Sequence, residues 1–202
     1  MHQLAPQVSL ASIKYQPVRK ELLEDEDLQI VADLILNGVR QGLYTDVIHA
    51  KTRAEVIEFL RVVASKCEFR QYDPAFRRAR TRAAALLVYT ARGAVVGFAI
   101  LAESVSDSIK RGVELLMFAV VTRHRGLGYG ASILDSLIKT LSEQYFNLVV
   151  RCPENSQLLF AMLMTRGFLS LGRYGRDRLL HLTPLLNLGR FRRVPNVSLY
   201  SE

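Results

Sequence analysis

The sequence predicts a mixed α/β fold, a central sheet of about seven strands flanked by about four helices, and three observations predict it. Apolar runs rich in β-branched and aromatic residues, such as Ala84 to Ala91, Ala94 to Glu103 and Val113 to Val121, carry the composition of buried strands. Elsewhere apolar residues recur at helical spacing, as at Leu28, Val31, Leu34 and Ile35 and again at Ile133, Leu134, Leu137, Ile138 and Leu141. In the second half of the chain the two patterns alternate, as they do where helices are laid across a sheet.

Taken in order, the elements begin with a short edge strand at Ser12 to Gln16, behind a leader that contains Pro6. A helix follows from the acidic run Glu24 to Asp27, where carboxylates complement the positive end of the helix dipole, and ends near Gly38. The next helix starts after Thr52, an N-cap with Glu55 three residues on, and carries Val56, Ile57, Leu60 and Val63 on one face. Arg70 to Arg82 reads as a polar, arginine-rich connection interrupted by Asp73-Pro74. The runs Ala84 to Ala91 and Ala94 to Glu103 flank Arg92-Gly93, a short hairpin signal, and Val113 to Val121 is a third strand. A helix through Ile133 to Leu141, a buried strand Phe146 to Val150, a buried helix Ser156 to Thr165 and two closing strands, Phe168 to Tyr174 and Leu179 to Leu182, complete the set. These elements make one domain over residues 1–184, and residues 185–202 read as a basic C-terminal tail.

Composition narrows the function classes. Half of the 202 residues are hydrophobic and 23% are charged, an ordinary globular balance. The longest apolar runs, Leu115 to Val121 and Leu158 to Met164, fall well short of the roughly 18 residues of a membrane span. With no secretory pattern at Met1 to Leu10, the expected location is cytoplasmic, without membrane attachment. Cys67 and Cys152 lack zinc spacing and are expected as reduced, buried thiols; no metal is expected. The net charge of +8 is carried mainly by arginine, whose planar fork suits phosphate and carboxylate, so an anionic ligand is expected.

The strongest local signal is a buried strand that runs through Thr-Arg-His-Arg-Gly-Leu-Gly-Tyr-Gly into an amphipathic helix. Glycines let the main chain approach phosphate oxygens, and the first turn of a helix offers unpaired N–H groups at the positive end of its dipole. Gly126, Gly128 and Gly130 do not have dinucleotide-binding spacing, and no Gly-Lys-Ser/Thr follows, which argues against dinucleotides and nucleoside triphosphates. The string Arg125-Gly126-Leu127-Gly128-Tyr129-Gly130, overlapping Arg123-His124-Arg125-Gly126-Leu127-Gly128, resembles the Q/R-x-x-G-x-G/A loop of the GNAT superfamily of acyl-CoA N-acyltransferases. The resemblance covers about residues 84–175 and includes Arg166-Gly167-Phe168, similar to the family's Gly-Phe exit from its last helix.

The resemblance implies an acetyl-CoA-dependent N-acetyltransferase acting on a primary amine of a small molecule, a protein or an aminoacyl acceptor. It implies that the coenzyme A pyrophosphate sits on Arg123, Arg125, Gly126, Leu127, Gly128, Tyr129, Gly130 and Ala131. It further implies that pantetheine lies along Phe118, Ala119 and Val120, and Asn155 resembles a residue that often contacts the coenzyme. Glu114, five residues before Ala119, resembles the glutamate base of the histone-acetylating branch, and Glu103 is the second carboxylate candidate. Where the family commonly has a tyrosine that protonates the departing thiolate this chain has Leu163, or Met162 in the adjacent frame, which leaves either another acid, Tyr145 or Tyr174, or direct protonation by water and the departing amine.

Two other readings stay open: a GNAT-like module that binds acyl-CoA without catalysis, and a protein that binds an anionic polymer. The arginines at 70, 77, 78, 80 and 82 and at 173, 176 and 178 either line a groove for nucleic acid or an acidic protein or form a solvated face. A dimer is compatible with the sequence.

Overall fold

The computed structural model describes residues 24–44, 52–73, 78–91, 93–104, 112–144, 146–174 and 177–182. The expected strand at Ser12 to Gln16 and the basic tail lie outside them. Two helices come first, α1 (Asp25–Arg40) and α2 (Arg53–Lys66), then strands β1 (Glu68–Asp73), β2 (Arg78–Ala91), β3 (Ala94–Glu103) and β4 (Gly112–Val120). A single 3-10 turn (Thr122–His124) leads into α3 (Tyr129–Glu143), followed by β5 (Asn147–Cys152), α4 (Gln157–Met164), β6 (Leu169–Tyr174) and β7 (Asp177–Leu182). The seven strands form one sheet in the order β1-β2-β3-β4-β5-β7-β6. Only β4 and β5 pair in parallel, because α3 connects them as a crossover; the other neighbours are antiparallel.

Each face of the sheet buries its own core. On one face Val31, Ile35, Val56 and Leu60 of α1 and α2 pack with Phe98, Ile100 and Met117. On the other, Ile133, Leu134, Leu137 and Leu141 of α3 and Leu163 of α4 pack with Leu101, Leu115, Leu148 and Val150. Strands β3 and β4 are therefore covered on both sides, which explains their nearly unbroken apolar sequences.

Two local expectations hold in detail and two are corrected. The capping box at α2 is formed: the Glu55 amide donates to Thr52 Oγ1 at 3.3 Å, and the Thr52 amide donates to Glu55 Oε2 at 2.9 Å. The strands on either side of the hairpin signal, β2 and β3, pair antiparallel, with Arg92 itself outside the described residues. The arginine-rich stretch expected as a connection is instead two paired strands, β1 and β2. Arg78, Arg80 and Arg82 alternate along β2 with period two, a strand signal that their charge obscures, and β1 is an edge strand, where charge is tolerated. Helix α1 also continues past Gly38 to Arg40. That glycine serves a tertiary purpose: a Cβ there would lie 2.2 Å from Cε2 of Tyr44.

Candidate functional site

The site arises where the pairing of β4 with β5 stops. Their ladder runs from Gly112 opposite Asn147 to Leu115 opposite Val150 and no further, although both strands continue. At the same point β4 shifts register against β3, because Leu101 faces Leu115 while Ile100 faces Met117, leaving Leu116 as an extra residue. Such a bulge bends a strand and increases its local twist. The strands diverge around a cavity of about 540 Å³ lined by Leu115 to Val120, Val150, Arg151 and Pro153, by Gly38 and Tyr44, and by the glycine loop.

Glycines 126 and 128 have φ of +79° and +84°, a left-handed conformation that is strained for residues with a Cβ. Gly128 is the N-cap of α3, and the first α-helical hydrogen bond runs from the Ser132 amide to the Gly128 carbonyl at 3.0 Å. The amides of Tyr129, Gly130 and Ala131 thus have no carbonyl within the helix to bond. The first turn of α3 carries no acidic residue, so the positive end of its dipole is not neutralised from within. Gly130 lies against the end of β4, where its Cβ position would be 3.5 Å from Val120 and 3.8 Å from Phe118. Arg125 Nε donates to the Val120 carbonyl at 3.1 Å, holding the loop to the strand. Arg123 Nε donates to His124, whose ring meets Tyr129 edge-on, and Leu127 projects into solvent. Ten of the twelve expected coenzyme residues fall in two stretches, Phe118 to Val120 and Arg125 to Ala131, with Arg123 in the 3-10 turn between them. Asn155 joins them across the cavity, with its side-chain amide donating to the Gln41 carbonyl at 3.2 Å.

Tyr44 is the cavity residue that the sequence does not announce. Its ring fills the space left by Gly38, and its hydroxyl donates to the Phe118 carbonyl at 3.1 Å, in the divergent part of β4. Burial pushes its phenol above the ordinary value, with the nearby Arg125 pulling the other way, so the proton stays on oxygen. Of the two tyrosines named from sequence, Tyr145 lies outside the described residues and Tyr174 is the last residue of β6. Leu163 is fully buried in the core, while its neighbour Met162 faces the cavity.

The two carboxylate candidates lie elsewhere. Glu114 is 3% exposed, and both its oxygens are engaged: Oε2 by Arg82 Nη2 at 2.6 Å, and Oε1 by Arg151 Nε. Arg82 also donates to the Glu103 carbonyl at 2.8 Å and to Gln71 Oε1 at 2.6 Å, and stacks over Phe69. Burial pulls the Arg82 guanidinium below its usual value, while the Glu114 carboxylate opposes that change. The Glu103 side chain is exposed at the end of β3. Among the described residues neither glutamate lines the cavity; the triad reaches it through Arg151. Cys152 is fully buried, and burial pushes its thiol up to about 12, which removes it as a nucleophile at neutral pH.

Of the arginines read either as a groove or as a solvated face, Arg77 and Arg176 lie outside the described residues. Arg82 is buried, Arg173 pairs with Glu154, and Arg178 stacks on Phe160 at 4.5 Å. Among the described residues no helix is long and apolar enough to cross a membrane, and no cluster of side chains has the make-up of a metal site.

The model of the Acetyltransferase (GNAT) family matches residues 50–160, more than half of the chain. The chain belongs to that family. The matched span runs from α2 into α4 and so contains the divergent strands, the glycine loop and all three members of the triad. Among curated proteins none gives a significant match. Solved structures with the same fold include AAC(6')-Ib in complex with ribostamycin and coenzyme A, with a TM-score of 0.60 and 11% identity over 83% of this chain and 95% of that one. Another is the ribosomal-protein-alanine N-acetyltransferase from Brucella melitensis, with a TM-score of 0.55 and 18% identity over 79% and 94% of the two chains. A third is the PaiA N-acetyltransferase from Thermoplasma acidophilum in complex with coenzyme A, with a TM-score of 0.53 and 13% identity over 80% and 95%. At these identities the likeness to each is one of fold.

Proposed function

We propose that the protein is an N-acetyltransferase that moves an acetyl group from acetyl-CoA to a primary amine, with the coenzyme held between β4, β5 and the start of α3. The observation that carries this reading is the coincidence, in one cavity, of a helix N-terminus free of acidic residues, two left-handed glycines and a strand edge released from its neighbour. A pyrophosphate suits the amides at Tyr129 to Ala131, with Arg125 beside them, and an extended pantetheine arm suits the free edge of Leu116 to Val120, added like a further strand. Two GNAT structures of this fold are complexes with coenzyme A, which supports the assignment.

In the reaction the amine lone pair attacks the thioester carbonyl carbon; the C–N bond forms, the C–S bond breaks, nitrogen loses a proton and the thiolate gains one. Tyr44 lines the cavity with its one hydroxyl proton on the Phe118 carbonyl, and by turning that proton from the carbonyl to the developing negative charge it would donate a hydrogen bond there, burial keeping the phenol protonated. Glu114, in this proposal, is not the base. Two guanidinium groups occupy its oxygens, and its part is to join β4 to β2 and β5 and to orient Arg151. The amine must therefore reach the site largely neutral, its proton lost to water.

Calorimetry with coenzyme A and a thiol-release assay with acetyl-CoA over a panel of amines, peptides and aminoacyl-tRNA test the proposal. The expected result is coenzyme binding together with acceptor-dependent thiol release. Binding without turnover of any acceptor would leave a non-catalytic acyl-CoA sensor, and absence of binding would sink both readings.

A further inference from the structure

We infer that Arg166 is a positioning residue for the coenzyme: it clamps the first turn of α3 to the end of α4 and so fixes where the helix amides meet the pyrophosphate. This rests on the acetyltransferase reading above. Arg166 directly follows Thr165, the C-cap of α4, where the chain leaves the helix through Gly167-Phe168. Its guanidinium reaches two helices at once. Nη1 donates to the Met162 carbonyl of α4 at 2.9 Å, and Nε donates to Asp135 Oδ1 of α3 at 2.7 Å. Nη2 donates to Asp135 Oδ2 at 3.2 Å and to the Ala131 carbonyl at 3.4 Å.

Both ends of the clamp lie at the cavity. Met162 and Ala131 are among its lining residues, and Ala131 supplies one of the amides proposed for the pyrophosphate. One residue earlier Gly130 closes the same seam, since a Cβ built on it would lie 3.6 Å from Met162 Cε. The clamp therefore sets the spacing of α3 from α4 at the point where the coenzyme is proposed to sit.

The sheet core does not reach this turn. The buried residues of α3 are Ile133, Leu134, Leu137 and Leu141, so Tyr129 to Ala131 precede the part of the helix that burial holds. Helix ends fray where local contacts are few. A planar guanidinium fork restrains direction as well as distance, which a lysine ammonium does not. With 18% of the Arg166 side chain and 62% of the Asp135 side chain exposed, the pair is partly in water and adds little to global stability. Its effect falls on the placement of the amides more than on the melting temperature.

The test uses the full chain with the variants Arg166→Gln, Arg166→Lys and Asp135→Asn. Arg61→Gln, which opens an exposed ion pair between α2 and α1, serves as the control. Calorimetry with coenzyme A reads the cradle, and amide hydrogen exchange of the unliganded protein over residues 129–136 reads the turn itself. For Arg166→Gln we expect coenzyme A to bind about tenfold more weakly, the loss of roughly one hydrogen bond to a charged group. Exchange in that segment should rise about tenfold while the melting temperature stays within a few degrees of wild type. Arg166→Lys should recover only part of the affinity, and Asp135→Asn, which spares the two carbonyl contacts, should lose about threefold. Arg61→Gln should change neither readout. Wild-type affinity in Arg166→Gln, or an equal loss in Arg61→Gln, would overturn the positioning role. If Arg166→Gln does not fold, wild-type affinity and exchange in Asp135→Asn would overturn it instead. A wild-type protein that does not bind coenzyme A would overturn the acetyltransferase reading, and unchanged exchange in Arg166→Gln would separately overturn the clamp.

Discussion

The two halves of β4 are built from the same kind of sequence and end in opposite conditions. From Gly112 to Leu115 the strand is paired on both edges, and its one charge, Glu114, is fully partnered. From Leu116 to Val120 it is paired to β3 alone, its far edge opens on the cavity, and the Phe118 carbonyl is met by a tyrosine from the α1 side. The difference teaches that the cavity here comes from interrupted pairing and not from a distinctive side chain: Leu-Met-Phe-Ala-Val is core sequence whose outer edge is released from β5. The closed half supplies rigidity. The open half borders the cavity.

Breaking the closed half should have the largest effect. Glu114→Ala takes this carboxylate from the buried Arg82 and the partly buried Arg151, and loss of one partner from a buried ion pair costs about 3–5 kcal/mol. For a domain of this length the thermal midpoint should fall by roughly 10 °C or more. A shift of only a degree or two in scanning calorimetry would show that the triad does not hold the strands. Glu114→Gln adds a sharper comparison: if the residue is structural, any lost turnover should follow lost stability and should not return as pH rises.

In the open half the expected effect is smaller and falls on binding. Gly128→Val forces a β-branched residue into the left-handed region, which costs about 1–2 kcal/mol, and among the described residues, its own chain neighbours and helix backbone aside, no atom lies within 4 Å of the new Cβ to compensate. If the cap must keep that shape to receive the pyrophosphate, coenzyme A affinity should weaken about tenfold while the melting temperature changes by a few degrees. Unchanged affinity in a calorimetric titration would remove the loop from the site.

Tyr44→Phe separates donor from filler, since the ring stays against Gly38 and only the hydroxyl is lost. One hydrogen bond is worth about 1 kcal/mol, so stability and coenzyme affinity should barely change. A fall in kcat of about tenfold or more would mark the hydroxyl as a donor to the reacting group, and an unchanged kcat would leave it as a strut for the Phe118 carbonyl.

The smallest effect at neutral pH concerns Cys152, next to the divergence on β5. Its thiol is raised to about 12 in the folded chain, against about 8.5 for an unfolded one, so the unfolded state releases that proton first. Its contribution to stability is intact below about pH 8.5 and is lost as pH climbs toward 12. Denaturant titrations between pH 8 and 11 should show stability falling more steeply in the wild type than in Cys152→Ala, and parallel curves would show that the thiol is not held protonated.

What the sequence determined by itself was local. The capping box of α2, the strand character of β3 and β4, the stripe of α3 and the glycine loop at its start all follow from residues within a few turns of one another, where backbone geometry and side-chain spacing decide the outcome. Charge partners were not legible in the same way. Glu114 reads as an isolated carboxylate in an apolar strand, yet its partners lie 32 and 37 residues away on β2 and β5, and only the sheet order brings them together. Tyr44 meets Phe118 across 74 residues, by way of a glycine that sequence alone reads as the end of a helix. The opening between β4 and β5 likewise depends on a one-residue bulge opposite Ile100 and Leu101, which no composition marks. The chain's own neighbours set its elements and its glycine loop; the tertiary structure decided which buried charge is spent on another, because that depends on distances that only the assembled sheet defines.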